Sequence, residues 1–171
     1  NGVTGTPKAN SGASAGDAGA IKIYNQGTGG ITVTNATAIA TQRLAPVAGG
    51  KGGTIILDGA AGATPGIVTL QTGTYNVNGG PGSADGGLLQ IKGSQTLVSG
   101  AGAVNLQANA SGIGNGGTVQ LIATAPGSTV TLGTAVGQFD ISARGGSVGS
   151  ASGNGGTIEV RQGSDVTVSN V

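Results

Sequence analysis

Five copies of one short pattern constrain this chain more than anything else in it. Gly52 to Leu57 reads GGTIIL, Gly86 to Ile91 GGLLQI, Gly116 to Leu121 GGTVQL and Gly155 to Val160 GGTIEV, with Ala18 to Ile23, AGAIKI, as a looser first copy. The copies begin at residues 18, 52, 86, 116 and 155, so successive steps are 34, 34, 30 and 39 residues. A motif returning at such intervals marks a repeat architecture, in which each unit buries its apolar face only against its neighbours.

Within each unit the apolar residues alternate over short runs bounded by Gly, Asn, Ser or Pro, which is a strand signal. The first runs are Ile21-Lys22-Ile23, Ile55-Ile56-Leu57, Leu89-Gln90-Ile91, Val119-Gln120-Leu121 and Ile158-Glu159-Val160. Their outer positions are always aliphatic, so the middle residue faces solvent in four of the five. A second run follows at Ile31 to Val33, Val68 to Leu70, Val130 to Leu132 and Val166 to Val168, with a less regular copy at Thr96 to Val98. Its outward residue is Thr32, Thr69, Thr131 or Thr167. The third run is Tyr75-Asn76-Val77, Val104-Asn105-Leu106 and Phe139-Asp140-Ile141, with a weak counterpart near Ile39. Asn76, Asn105 and Asp140 are expected to stack on one outer face.

Three short strands per period predict an all-β, single-stranded parallel β-helix of about 4.5 turns, one domain over residues 1–171. Equivalent strands would lie about 4.8 Å apart, giving a coil roughly 22 Å tall. The paired glycines, Gly52 and Gly53, Gly86 and Gly87, Gly116 and Gly117, and Gly155 and Gly156, read as a recurring corner in which glycine accepts positive φ. Within residues 1–17, Thr4 to Asp17 resembles Ser142 to Asn154 of a later repeat in composition and length, so the leader reads as a loop of the repeat with its first half missing.

Composition fits a thin core and closes off several chemistries. The chain has 38 Gly, one Phe and two Tyr, and no Trp, Met or Cys. Helix is not expected, because glycine costs about 1 kcal/mol against alanine in a helix interior. Seven Lys and Arg against six Asp and Glu form no basic stripe for nucleic acid, and no apolar run is long enough to span a membrane. A start at Asn1 without a signal peptide suggests processing or truncation. No histidine is present to activate a Ser or Thr nucleophile. The acids Asp17, Asp58, Asp85, Asp140, Glu159 and Asp165 read as scattered surface charge. Gly79 to Asp85, GGPGSAD, occurs once and lacks the stacked copies a calcium roll needs. Lys51 in GGKGGT lacks the rest of a phosphate loop and reads as a corner with a charged tip. No catalytic residue, metal ligand or cofactor is therefore assigned. Asn35 and Asn109 sit in glycosylation sequons, and the Thr column could serve as an ice-binding face.

The GNGGT-aliphatic units at Asn115 to Leu121 and Asn154 to Val160, with ISARGG at Ile141 to Gly146, resemble the filamentous-haemagglutinin-like repeats of large bacterial exoproteins. The resemblance implies a right-handed parallel β-helix, secretion across an outer membrane and adhesive or structural work at the cell surface, where carbohydrate or a receptor is a further partner class. Solenoid ends need caps, because unpaired strand edges invite another chain. No capping segment is evident, so the chain itself is the expected partner, head to tail. Residues 1–17 of one subunit would complete the last turn of the next. The interface residues would be Ile21 and Ile23 at one end and Ile158, Val160, Val166 and Val168 at the other. The alternative is a segment of a long secreted adhesin; a carbohydrate-acting β-helix enzyme is a third class.

Overall fold

The computed structural model describes residues 7–11, 16–34, 36–41, 49–98, 102–132 and 139–163, with the side chains of 36–38 and 96–98 left aside. Val166, Thr167, Val168, Asp165 and Asn35 lie outside these residues. No helix is present among the described residues.

Alternating aliphatic runs become strands at β1 (Ala20–Tyr24), β2 (Ile31–Val33), β3 (Ala36–Ala40), β4 (Thr54–Asp58), β5 (Val68–Leu70) and β6 (Gly73–Asn76). They continue as β7 (Leu88–Gly93), β8 (Thr96–Val98), β9 (Val104–Gln107), β10 (Thr118–Ala123), β11 (Val130–Leu132) and β12 (Phe139–Ser142). A small hairpin, β13 (Ser147–Val148) and β14 (Ala151–Ser152), precedes β15 (Thr157–Arg161). The expectation of a plain loop over 142–154 is thus corrected, since β13 and β14 pair antiparallel there.

Among the described residues all other strand pairings are parallel, apart from one isolated antiparallel bridge between Ala84 and Ser111, and each strand of these sheets joins strands of neighbouring repeats. One sheet runs β1-β4-β7-β10-β15, a second β2-β5-β8-β11, and a third β3-β6-β9-β12. In the first sheet the register is the one the motif predicts: Ile21, Ile55, Leu89, Val119 and Ile158 align, as do Ile23, Leu57, Ile91, Leu121 and Val160. Their interior members seal a core with Val68, Leu70, Tyr75, Val104 and Leu106. Fully burying each such aliphatic side chain contributes about 1.5–3 kcal/mol.

The second sheet keeps the expected register, Ile31, Val68, Thr96 and Val130 aligning, whereas the third corrects the sequence reading. In the second, Leu97 aligns between Thr69 and Thr131, so Thr32, Thr69 and Thr131 do not form the unbroken column an ice-binding face requires. In the third, Asn105 aligns with Thr74 and Asp140, whereas Asn76 aligns with Gln107, two positions away from the expected stack. The asparagine ladder forms just beyond the strand: Asn109 N donates to Asn78 Oδ1 at 2.7 Å and Arg144 N to Asn109 Oδ1 at 2.9 Å. Asn109 Nδ2 also donates to Ser142 Oγ at 3.0 Å, so a glycan there would compete with this ladder.

Tyr75 is the bulkiest fully buried residue, and its hydroxyl has no hydrogen-bond partner among the described residues. Burial pushes the phenol far above its usual pKa. An orphaned buried hydroxyl costs about 1–3 kcal/mol. Tyr75→Phe is therefore expected to stabilise the fold by about 1 kcal/mol, read as a melting rise of about 2–4 °C. An unchanged or lower melting temperature would show that the hydroxyl is satisfied in solution.

Candidate assembly interface

Each repeat enters its first strand through the paired glycines, and their neighbours explain the residue choice. The second glycine donates its amide to the carbonyl ending the preceding third strand: Gly53 to Thr41 at 2.9 Å, and Gly87 to Val77, Gly117 to Ala108 and Gly156 to Ala143 at 2.7 Å each. Gly19 donates to Ala9 in the same way at 2.8 Å, while Lys8 bridges Ala40 in parallel. Residues 8 and 9 thus take the third-strand place ahead of the first repeat, on the outer side of β3. This is the strand end that composition alone made look like a loop.

A Cβ on Gly53, Gly87, Gly117 or Gly156 would overlap the carbonyl oxygen of the second glycine one repeat earlier. On Gly52 or Gly86 it would also lie 2.6 or 2.5 Å from the next repeat's glycine nitrogen, and Gly116 is crowded by Ala143 and Gly156 in the same manner. None of these paired glycines has a positive φ. The expected left-handed corner is therefore corrected: glycine is needed at the second position because backbones of successive repeats touch there, while the first position is crowded but holds Ala18 in the first copy.

Gly155 departs from this series, for no atom of the described residues lies within 4 Å of its Cβ position. Its equivalents are walled in by the end of a third strand and by the next repeat's glycine, so among the described residues the stack has an open edge at Gly155. Comparison with protein-family models, curated proteins and solved structures returns no match.

The core is open at the same end. Ile158 is 49% exposed, whereas its register partners Val119, Leu89 and Ile55 are each 0% exposed. Val160 is half-buried, as are Ile21 and Ile23 on β1 at the opposite edge. The geometry thus groups Ile21 with Ile23 at one edge and Ile158 with Val160 at the other; the remaining two expected members, Val166 and Val168, lie outside the described residues.

Sequence reasoning about the core passed over the polar columns that end at these edges. The middle residues of the first sheet form a ladder in which Gln90 Nε2 donates to Gln120 Oε1 at 2.8 Å and Gln120 Nε2 to Glu159 Oε2 at 2.7 Å. Arg161 Nε donates to Glu159 Oε1 at 2.6 Å. The Arg161 bond, followed by the Gln120 bond, holds the Glu159 carboxyl below the usual carboxylate range. Because the folded pKa is lowered, this stabilisation is present above the ordinary Glu value and is lost as pH falls through the folded one. At the corner, Lys51 N donates to Asp17 Oδ1 at 2.9 Å, Asn115 N to Asp85 Oδ1 at 2.8 Å and Asn154 N to Asn115 Oδ1 at 3.0 Å. The signal for the first column was present in the middle residues Lys22, Ile56, Gln90, Gln120 and Glu159, and that for the corner in Asp17, Lys51, Asp85, Asn115 and Asn154, each read as a series down the stack.

Asp17, Asp58, Asp85 and Glu159 each make bonds that join or brace repeats. Asp58 is 8% exposed, bonds Lys92 at 3.2 Å and accepts the Ala60 amide, which corrects its reading as scattered surface charge. Lys51, at its corner, lies 3.7 Å from Asp85. An open hollow of about 250 Å³ between Asp17, Lys51 and Asp85 has both carboxylates engaged in these corner bonds. Among the described residues no three His, Cys, Asp or Glu side chains come together as a metal site, and no helix is long and apolar enough to cross a membrane.

Proposed function

We propose that this protein is a structural, non-enzymatic β-solenoid, a single parallel β-helix with three strands per turn, whose copies join head to tail as a fibre outside the cell or on its surface. The observation that carries this reading is the half-open core at β1 and β15, against complete closure of the same positions in β4, β7 and β10. A third strand ahead of the first repeat, at Lys8 and Ala9, adds to it. Laid on a second copy, Ala9 would end the turn that β15 begins, and the next β1 would cover Ile158 and Val160. Such a contact is heterologous and does not close, which generates filaments.

Electron microscopy and sedimentation of the purified chain test this reading. Uniform unbranched fibres are expected above a critical concentration, and removing residues 1–17 should abolish them while the β-rich circular dichroism spectrum persists. The GNGGT units favour a second reading, in which the same stack is one length of a long adhesin and its edges are continued covalently. Persistent monomers at every concentration would favour that reading and sink the first.

A further inference from the structure

The two ends of the first sheet carry opposite charges at the same position of the repeat. The column begins with Lys22 on β1 and passes through Ile56, Gln90 and Gln120 to Glu159 on β15. Its interior polar members are already joined by side-chain hydrogen bonds at the spacing of successive repeats. On the reading that copies stack head to tail, the residue placed next to Glu159 is Lys22 of the following copy. We propose that this pair, Glu159 of one copy and Lys22 of the next, sets the direction and register of the junction.

The charges around the two edges agree with that assignment. Continuing the observed pairings sets Lys8 beside Ser142, Asp17 beside Asn154 and Tyr24 beside Arg161, with no like charges opposed among the described residues. A register slip of two residues, the smallest that keeps the apolar face inward, has a different result. In one direction it brings Lys22 against Arg161; in the other it leaves Lys22 opposite Thr157 and moves Tyr24 to Glu159. Head-to-head contact opposes Lys22 to Lys22, and tail-to-tail contact opposes Glu159 to Glu159. Like charges directly opposite on neighbouring strands are destabilising, so each wrong arrangement is disfavoured or loses the pair. Glu159 also has the capacity to accept a third donor, because an ionised carboxylate offers about four lone-pair sites and Gln120 and Arg161 use two bonds between them.

The test uses full-length chains with Lys22→Glu and Glu159→Lys, separately and mixed. Alone, each variant opposes like charges at every junction, and its critical concentration for fibre formation is expected to rise about tenfold or more. Mixed in equal amounts, the two should assemble near the wild-type concentration, because either variant's tail now matches the other's head. Differently labelled variants should alternate along the fibre, read as energy transfer. Matching melting curves for the monomers confirm that each variant folds; Glu159→Gln, which removes the charge without placing Lys beside Arg161, should give an intermediate shift.

Wild-type fibres together with normal fibres from both single variants would overturn the pairing and leave the filament reading in place. A mixture as inert as its components would also overturn the pairing. A wild-type chain that never forms fibres would overturn the filament reading and the pairing with it.

Discussion

Gly87→Ala is expected to destabilise the folded chain by about 3–5 kcal/mol, a loss that few single methyl groups produce. The added Cβ would overlap the Gly53 carbonyl oxygen and lie 2.6 and 2.7 Å from the Gly52 carbonyl carbon and oxygen. All three are backbone atoms, so no rotamer change relieves the contact. The repeats must part at this corner, and parting them strains the bond from Gly87 N to Val77 O at 2.7 Å and that from Leu88 N to Gly53 O at 3.0 Å. Overpacking alone costs about 1–3 kcal/mol, and each weakened hydrogen bond adds about 0.5–1.5 kcal/mol. Urea denaturation measures the sum. Gly29→Ala is the control, since nothing lies within 4 Å of its Cβ and its φ is not positive; its shift should stay within about 0.5 kcal/mol. Equal midpoints for the two variants would show that successive backbones are not in contact at the corner.

This prediction depends on a distinction that the sequence does not carry by itself. Glycine serves where φ is positive and where a neighbour leaves no room, and both uses produce the same letter. The column offered a partial clue, because its second member is glycine at 19, 53, 87, 117 and 156 while the first tolerates Ala18. First-sheet register was legible because the glycine pair sits at one fixed offset from every first strand. The third sheet had no such marker. Matching Tyr75-Asn76-Val77 to Val104-Asn105-Leu106 by residue type misaligned it by two, since the true anchor is the carbonyl that receives the second glycine's amide, at Val77, Ala108 and Ala143. Ala9-Asn10, Val77-Asn78 and Ala108-Asn109 share a small or aliphatic residue followed by Asn at that anchor. The pattern would have located both the leader's strand and the asparagine ladder. As for the candidate interface, its apolar members followed from the motif, but its charged pair became visible only once the columns had defined ends.

Gly155→Val is expected to leave the isolated subunit as stable as the wild type, within about 0.5 kcal/mol, and to abolish fibre formation. Among the described residues nothing lies within 4 Å of this residue's Cβ position and its φ is not positive, so valine meets neither a clash nor backbone strain there. Between copies the situation reverses. Gly116 is hemmed in by Ala143 and Gly156, which are joined by a 2.7 Å hydrogen bond. The β1 edge of the stack already presents the matching pair, Ala9 and Gly19, joined at 2.8 Å. Stacked on Gly155 of another copy, that pair would fall where the valine side chain has to go. Alanine is too lenient a probe, because Ala18 shows that one methyl group fits at the first position of the pair. Gly86→Val supplies the comparison: the same substitution at an interior position of the column, two repeats down, meets Ala108 and Gly117 within the subunit and should unfold it. Melting curves with sedimentation on both variants separate the outcomes. Normal fibres from Gly155→Val would mean that copies do not continue the stack at this end, while a subunit destabilised as much as Gly86→Val would mean that the chain fills the site itself.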